Sequence, residues 1–239
     1  MEIFYATPDA IQGEQVKLGP KETRHIVRVL RHNVGDHVLV VDGKGIEYRC
    51  VITRIGRSEV LCDIVNRTRR AREPITEVTL AAGITKGTKM DTVVEMATEL
   101  GIAQFVPLIT TRTVARVTPA RLRRYTSLAI AALKSSTRTM LPRIRPVQDF
   151  ESFLKESNRY DLKLIAHEGE AKSRLPDVIA RSVHRAVLIV GPEGGFTEAE
   201  IALSQAHGFR AFTMGPRRLR AETASIAALT MLLYELNEI

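Results

Sequence analysis

The chain has no tryptophan, five tyrosines and seven phenylalanines among its 239 residues. So few rings leave no obvious stacking platform of the kind that single-strand nucleic-acid binders use. Its two cysteines, Cys50 and Cys62, lie in predicted strands with no second pair and no histidine spacing that suggests zinc. That excludes a disulfide framework and predicts buried, reduced thiols. No apolar run approaches the ~18 residues of a membrane helix. The start, Met1-Glu2-Ile3-Phe4-Tyr5, has neither the basic end nor the apolar middle of a signal peptide. A cytosolic protein with no membrane partner is expected.

Acids are also missing where cations gather. From Gly101 to Gln148 there is no Asp or Glu, yet there are nine Lys or Arg, namely Arg112, Arg116, Arg121, Arg123, Arg124, Lys134, Arg138, Arg143 and Arg145. A merely solvated surface mixes signs. An acid-free basic tract reads as an electrostatic footprint for nucleic acid. The net charge is +8, with 26 arginines against 9 lysines. Arginine's planar fork holds phosphate through two bonds. Coding bias or thermal adaptation would also raise arginine, but would not segregate it.

The first seventy or so residues pattern as short strands, Val38–Val41, Ile46–Ile52 and Glu59–Val65. The turn Asp42-Gly43-Lys44-Gly45 joins the first two as a hairpin. A helix is predicted over Lys21–Leu30. A small β-barrel suits this density of short strands. The polar, basic run Asn66–Pro74 reads as a linker, giving domains 1–70 and 74–239. After Pro74, strands alternate with helices: Ile75–Ala82, helix Lys89–Leu100, Ala103–Ile109, a helix opening at Thr118-Pro119, then Leu162–Ala166, Ala186–Val190, Arg210–Met214 and a last helix Glu222–Leu236. Thr197-Glu198-Ala199-Glu200 is a capping box. Alternating βα units imply an α/β fold with a mainly parallel sheet and helices on both faces.

Two glycine-rich loops follow strands and feed helices: Val190-Gly191-Pro192-Glu193-Gly194-Gly195-Phe196, and Met214-Gly215-Pro216-Arg217-Arg218-Leu219-Arg220-Ala221-Glu222-Thr223-Ala224. Neither is a P-loop or a dinucleotide fingerprint, since the required spacings are absent. Two such loops at the carboxyl edge of one sheet make a ligand crevice. Together they closely resemble the RsmE-type methyltransferases of the SPOUT superfamily. Arg24-His25-Ile26-Val27-Arg28-Val29-Leu30-Arg31 with Val34-Gly35-Asp36 looks like that family's N-terminal PUA-like module. Lys86-Gly87-Thr88-Lys89-Met90-Asp91 through Ala97-Thr98-Glu99-Leu100-Gly101 looks like the start of its catalytic domain.

The resemblance implies a small PUA-like β-barrel followed by a trefoil-knotted α/β domain, one of the rare exceptions to unknotted connectivity. It implies methyl transfer from S-adenosylmethionine to N3 of one uridine in the 16S ribosomal RNA of the small subunit, by a homodimer. Val190, Gly191, Glu193, Gly195, Met214, Gly215, Leu219, Thr223 and Ala224 are the implied cofactor-binding residues. Arg220 and Glu222 are the catalytic candidates. Arg220 would stabilise the uridine anion as it develops. Glu222 would accept the N3 proton, orient Arg220, or merely pair with it at a helix start. Arg24, Arg28 and Arg31, at i, i+4 and i+7 of one helix, join Arg112 and Arg138 as RNA-binding candidates. A solvated stripe is the alternative for the first three. Methyl transfer from a sulfonium needs no metal, and His25, His32, His37 and His167-Glu168 lack metal-binding geometry.

Family members usually carry Ile where this chain has Arg218. They also carry glutamates and a glutamine where this chain has Ala131, Lys134 and Ser135. These departures keep a noncatalytic RNA-binding or ribosome-assembly factor as the alternative. A small-molecule enzyme with a nucleotide cofactor is disfavoured by the acid-free tract.

Overall fold

A computed structural model of the chain describes residues 2–115, 117–169, 173–179 and 183–239. Arg116, one of the nine cations above, lies outside the described residues. The chain divides into two compact units, Met1–Glu73 with Ile130–Leu141, and Pro74–Ala129 with Pro142–Ile239.

The first unit holds β1 (Ile3–Tyr5), β2 (Ile11–Gln12), β3 (Gln15–Leu18), α1 (Pro20–Arg24), β4 (His37–Val41), β5 (Ile46–Ile55) and β6 (Val60–Arg69). They form one sheet in the order β1-β4-β5-β6-β3-β2. The expected small barrel is present as a half-barrel. Pro8–Ala10 turns the chain out of β1 as a 3-10 helix, and β2 is two residues long, so both remain edges. One face of the sheet packs Phe4, Val16, Leu18, Val40, Ile52 and Val60 into a core that Ile26 completes. Cys50 and Cys62 are free and buried in it, and burial pushes each thiol up to about 12. The predicted hairpin turn is present. Asp42 Oδ1 accepts from the N–H groups of Lys44 (2.7 Å) and Ile46 (3.0 Å).

Two expectations for this unit are corrected. Asn66–Arg69 is strand rather than linker, because it pairs with Ile46–Arg49, and Arg67 finds Glu14 at 3.0 Å. Arg138 is not a surface cation. Its side chain is 5% exposed and donates to Glu73 Oε2 at 2.8 Å, while Glu73, 1% exposed, also accepts from the N–H groups of Thr139 (2.6 Å) and Met140 (2.9 Å). A guanidinium 5% exposed and turned onto a buried carboxylate is withdrawn from the surface where phosphate would meet it. Lys134 is likewise tied, to both oxygens of Glu22 at 2.9 and 3.1 Å. Ser135 Oγ donates to the Ala132 carbonyl at 3.1 Å, and Ala131 is exposed.

The second unit contains β7 (Glu77–Gly83), α2 (Lys89–Glu99), β8 (Gln104–Ile109), most of α3 (Pro119–Ser135), β9 (Arg143–Ile144), β10 (Gln148–Asp149), α4 (Phe150–Lys155), β11 (Leu162–Ala166), α5 (Leu175–Val178), β12 (Arg185–Val190), α6 (Glu198–Ala206), β13 (Arg210–Phe212) and α7 (Ala221–Glu235). The sheet runs β10-β8-β7-β12-β11-β13, with β9 beside β8, and every pairing is parallel. After their first residue, β7 and β12 are buried at every position, as a sheet covered on both faces requires. Ala81, Val106, Ile165, Val187 and Ile189 pack against Phe153 of α4 and Ile201 of α6. α7 packs on β7, β12 and α2. No helix among the described residues is long and apolar enough to cross a membrane.

Candidate active site

The chain returns to the middle of the sheet at β12, so β11, β12 and β13 deliver three loops to one carboxyl edge. That edge, with the first turn of α7, encloses a partly open cleft, in the place where open α/β sheets bind small ligands. Val190, Gly191, Glu193 and Gly195 line it from the first glycine loop, and Met214, Gly215 and Leu219 from the second, with Ala224 from α7. Thr223 does not line it. One turn into a helix, its side chain points away from the face that Ala221 and Ala224 present. Sequence reasoning missed Ala166, His167 and Glu168 after β11, and Pro192, Phe196, Thr213, Arg217, Arg218 and Ala221. The β11 contribution had a signal, a charged pair directly after a buried parallel strand, where open α/β sheets place ligands.

Glycine builds the cleft by two routes. Gly195 and Gly215 sit at φ +67° and +100°, a region costly to side-chain-bearing residues, and no neighbour comes within 4 Å of a Cβ built at Gly215, which leaves its backbone open to a ligand. Gly83, at the end of β7, acts through space: a Cβ there would lie 2.4 Å from Pro192 N and Cδ. Gly83→Ala is therefore expected to cost roughly 1–3 kcal/mol through overpacking. Urea denaturation measures this, and an unchanged midpoint would mean that the loop yields freely.

Charged groups ring the mouth. Arg218 pairs with Glu168 at 3.2 Å across the loops after β13 and β11. Glu193 Oε1 accepts from the Lys86 N–H (3.2 Å) and from Lys89 Nζ (3.1 Å). Partial burial pushes the Glu193 carboxyl up. The bonds from Lys89, its own N–H and the Lys86 N–H outweigh that, and the group sits below the usual carboxylate range. A second, open cavity adjoins the cleft and shares Glu193, Arg218, Leu219 and Ala221 with it, adding Lys89 and Arg220. Arg220 is exposed at the N-cap of α7, and its side chain makes no hydrogen bond or ion pair among the described residues. It does not pair with Glu222. Glu222 lines neither cavity, and its buried Oε2 has no partner among the described residues.

Arg112 is exposed, but its guanidinium reaches the Gly194 carbonyl at 2.7 Å, bracing the first glycine loop. The segment it leaves is held by the capping box of α6. Glu200 closes that box on Thr197 and also accepts the Thr111 N–H at 2.8 Å. Burial pushes the Glu200 carboxyl up, but the bonds from Thr197 and Thr111 hold it below the ordinary value of 4.5. A depressed carboxyl contributes stability that is complete above 4.5 and is lost as pH falls through the folded-state value. Glu200→Gln is expected to lose about 1–2 kcal/mol at neutral pH, with the gap to wild type narrowing in acid. Denaturation midpoints at pH 7 and pH 4 check this, and a gap that widens in acid would contradict it.

Arg24, Arg28 and Arg31 are all exposed, but not on one α-helical face. α1 passes into a π turn, His25–Leu30, whose wider winding changes the angular step, and Arg31 leaves the helix at φ +57°. Among the described residues no cluster of His, Cys, Asp or Glu could hold a metal.

A parallel α/β sheet with a glycine-lined cleft at its carboxyl edge, preceded by a small β unit, is matched by known families. Residues 71–233 match the RNA methyltransferase domain and residues 18–65 the RNA methyltransferase PUA domain. Fold and cleft thus define an RNA methyltransferase. The chain is 32% identical over 226 residues, 90% of its length and 88% of the relative's, to ribosomal RNA small subunit methyltransferase E of Bacillus subtilis. It is 31% identical over 230 residues, 95% and 92% of the two chains, to that of Rickettsia conorii. A ribosomal RNA small subunit methyltransferase E from Neisseria gonorrhoeae, solved bound to S-adenosyl methionine, superposes with a TM-score of 0.89 at 30% identity, over 98% of this chain and 97% of that one. A methyltransferase from Legionella pneumophila in complex with the same cofactor gives 0.86 at 31%, over 97% and 96%. The chain belongs to the ribosomal RNA small subunit methyltransferase E family.

Proposed function

We propose that the chain transfers a methyl group from S-adenosylmethionine to N3 of one uridine in 16S ribosomal RNA, as a cytoplasmic homodimer with the trefoil tie of its superfamily. The observation that carries this reading is the cleft: eight of the nine residues expected to hold the donor line it. Its chemistry fits the donor. Val190, Phe196, Met214 and Leu219 offer apolar walls for a purine. Glu168 and Glu193 offer carboxylates for hydroxyl and ammonium groups, and Arg217 and Arg218 face a carboxylate. S-Adenosylmethionine supplies a methyl group already made electrophilic by its sulfonium.

The chain's own residues must align the acceptor and stabilise its anion, since uracil N3 carries a proton and is a poor nucleophile until it leaves. Alignment contributes several kcal/mol. Arg220, with five unspent donors beside the cleft, is placed to meet O2 or O4 as negative charge develops there. Glu222 lies off both walls, so in this reading the N3 proton passes to solvent water. Arg24, Arg28 and Arg31, with exposed Arg123 of α3, serve phosphate contacts to a folded RNA. The homodimer draws support from Met231 and Tyr234 of α7, 37% and 69% exposed in a helix otherwise rich in buried leucine and alanine.

The test is methyl transfer to small subunits and to naked 16S RNA from cells lacking the modification, followed by nucleoside mass spectrometry. 3-Methyluridine at one site is expected. A scaffold protein would leave both RNAs unmodified, and a different methylated nucleoside would overturn the assignment.

A further inference from the structure

The Lys86-Gly87-Thr88-Lys89 turn lies outside the cleft walls, yet it delivers a cation to the neighbouring cavity. Lys89, in the first turn of α2, borders that cavity with Arg220, Arg218, Leu219, Ala221 and Glu193. Its Nζ donates one bond to Glu193 Oε1 at 3.1 Å and the side chain is 41% exposed, so the ammonium keeps donors for a ligand. Glu193 Oε1 is itself pinned by the Lys86 N–H, which fixes the carboxylate that fixes the ammonium. Four groups carry charge around this space: Lys89 from α2, Glu193 after β12, and Arg218 and Arg220 before α7. Arg218, paired with Glu168, and Glu193, paired with Lys89, also line the donor cleft and belong to the donor's side. What remains is the unspent hydrogen-bonding capacity of Lys89 and Arg220, in an open cavity that shares a wall with the donor cleft.

We infer that this cavity seats the target uracil, that Lys89 is a second catalytic cation on its oxygens, and that Glu193 is the positioning residue that holds Lys89. The inference rests on the proposed methyl transfer and deepens it. Uracil has two carbonyl oxygens flanking N3, and ionisation at N3 spreads charge onto both. Two cations from different elements, α2 and the α7 N-cap, can each take one oxygen. Neighbouring cations lower the pKa of a bound acid, so the base ionises in the cavity at neutral pH. The N3 proton passes to solvent water, the N3 electron pair makes the new bond to carbon, and the carbon–sulfur pair stays on sulfur.

The experiment measures kcat, KM for RNA and the pH profile of Lys89→Met, Lys89→Arg and Glu193→Gln against wild type, with calorimetric titration of S-adenosylmethionine into each. Wild-type turnover, measured first, tests the methyl-transfer reading by itself; the variant-to-wild-type ratio tests this one. Lys89→Met is expected to lower kcat about 10²-fold at pH 7 and to move the kcat profile about one unit alkaline. Lys89→Arg should recover most of the rate. Glu193→Gln should cost less than Lys89→Met and shift the profile the same way. Donor affinity of the Lys89 variants should stay within about threefold of wild type. A raised KM with unchanged kcat would assign Lys89 to phosphate and overturn the inference. Loss of donor binding in Lys89→Met, or an unmoved pH profile, would overturn it too.

Discussion

Arg220→Ala is expected to lower kcat by roughly 10²–10³-fold, the usual loss when a preorganised donor to a developing oxyanion is removed, while calorimetric affinity for S-adenosylmethionine changes less than about threefold, or ~0.6 kcal/mol. The split follows from the geometry. Arg220 borders the second cavity but not the cleft, and its side chain makes no ion pair or hydrogen bond among the described residues that its loss would break. Arg220→Lys should recover only part of the rate, because a point charge does not reproduce a planar fork. Turnover equal to wild type would remove Arg220 from the chemistry. A parallel loss of donor binding would mean that it shapes the second loop instead.

Glu73→Ala is expected to destabilise the first unit by about 3–5 kcal/mol, since it removes one partner of a buried ion pair. The Arg138 and Glu73 side chains are 5% and 1% exposed, and the same carboxylate closes the N–H groups of Thr139 and Met140. Arg138→Met is the informative companion. It removes the guanidinium and keeps the carboxylate, which still has two N–H donors and the Thr139 hydroxyl at 3.2 Å. It should therefore cost less. Chemical denaturation of both variants measures the difference. An Arg138→Met protein of wild-type stability with weakened RNA binding would return Arg138 to the surface role expected of it from its place in the basic tract.

Arg138 shows where a sequence stops being legible. A cation in an acid-free run looks free, because its acid, Glu73, lies 65 positions earlier in the chain. Lys134 and Glu22, 112 positions apart, conceal the same thing. The parallel strands were legible because burial on both faces makes them continuous apolar runs, as in Val187-Leu188-Ile189-Val190. β9 and β10 were not, since two residues such as Arg143-Ile144 carry no period. The π turn was invisible for a related reason: Ile26 and Leu30 suit an α-helix as well as a π turn, and only the position of Arg31 separates them. In the cleft, the glycine loops were legible from turn chemistry. The β11 loop and Lys89 were not, because their places depend on strand order and on how α2 meets the β12 loop. Gly83 looked like a strand end, and its role needs Pro192 brought within 2.4 Å. The substitutions at Ala131, Lys134 and Ser135 line neither cavity, so they give no support to a chain that has lost its donor.

A crystal structure of the protein grown with S-adenosylmethionine bears most directly on all of this. The donor should lie between Val190 and Leu219, with its methyl carbon turned toward the space that Lys89 and Arg220 border. Donor bound elsewhere, or a methyl carbon facing away from those two cations, would contradict the account.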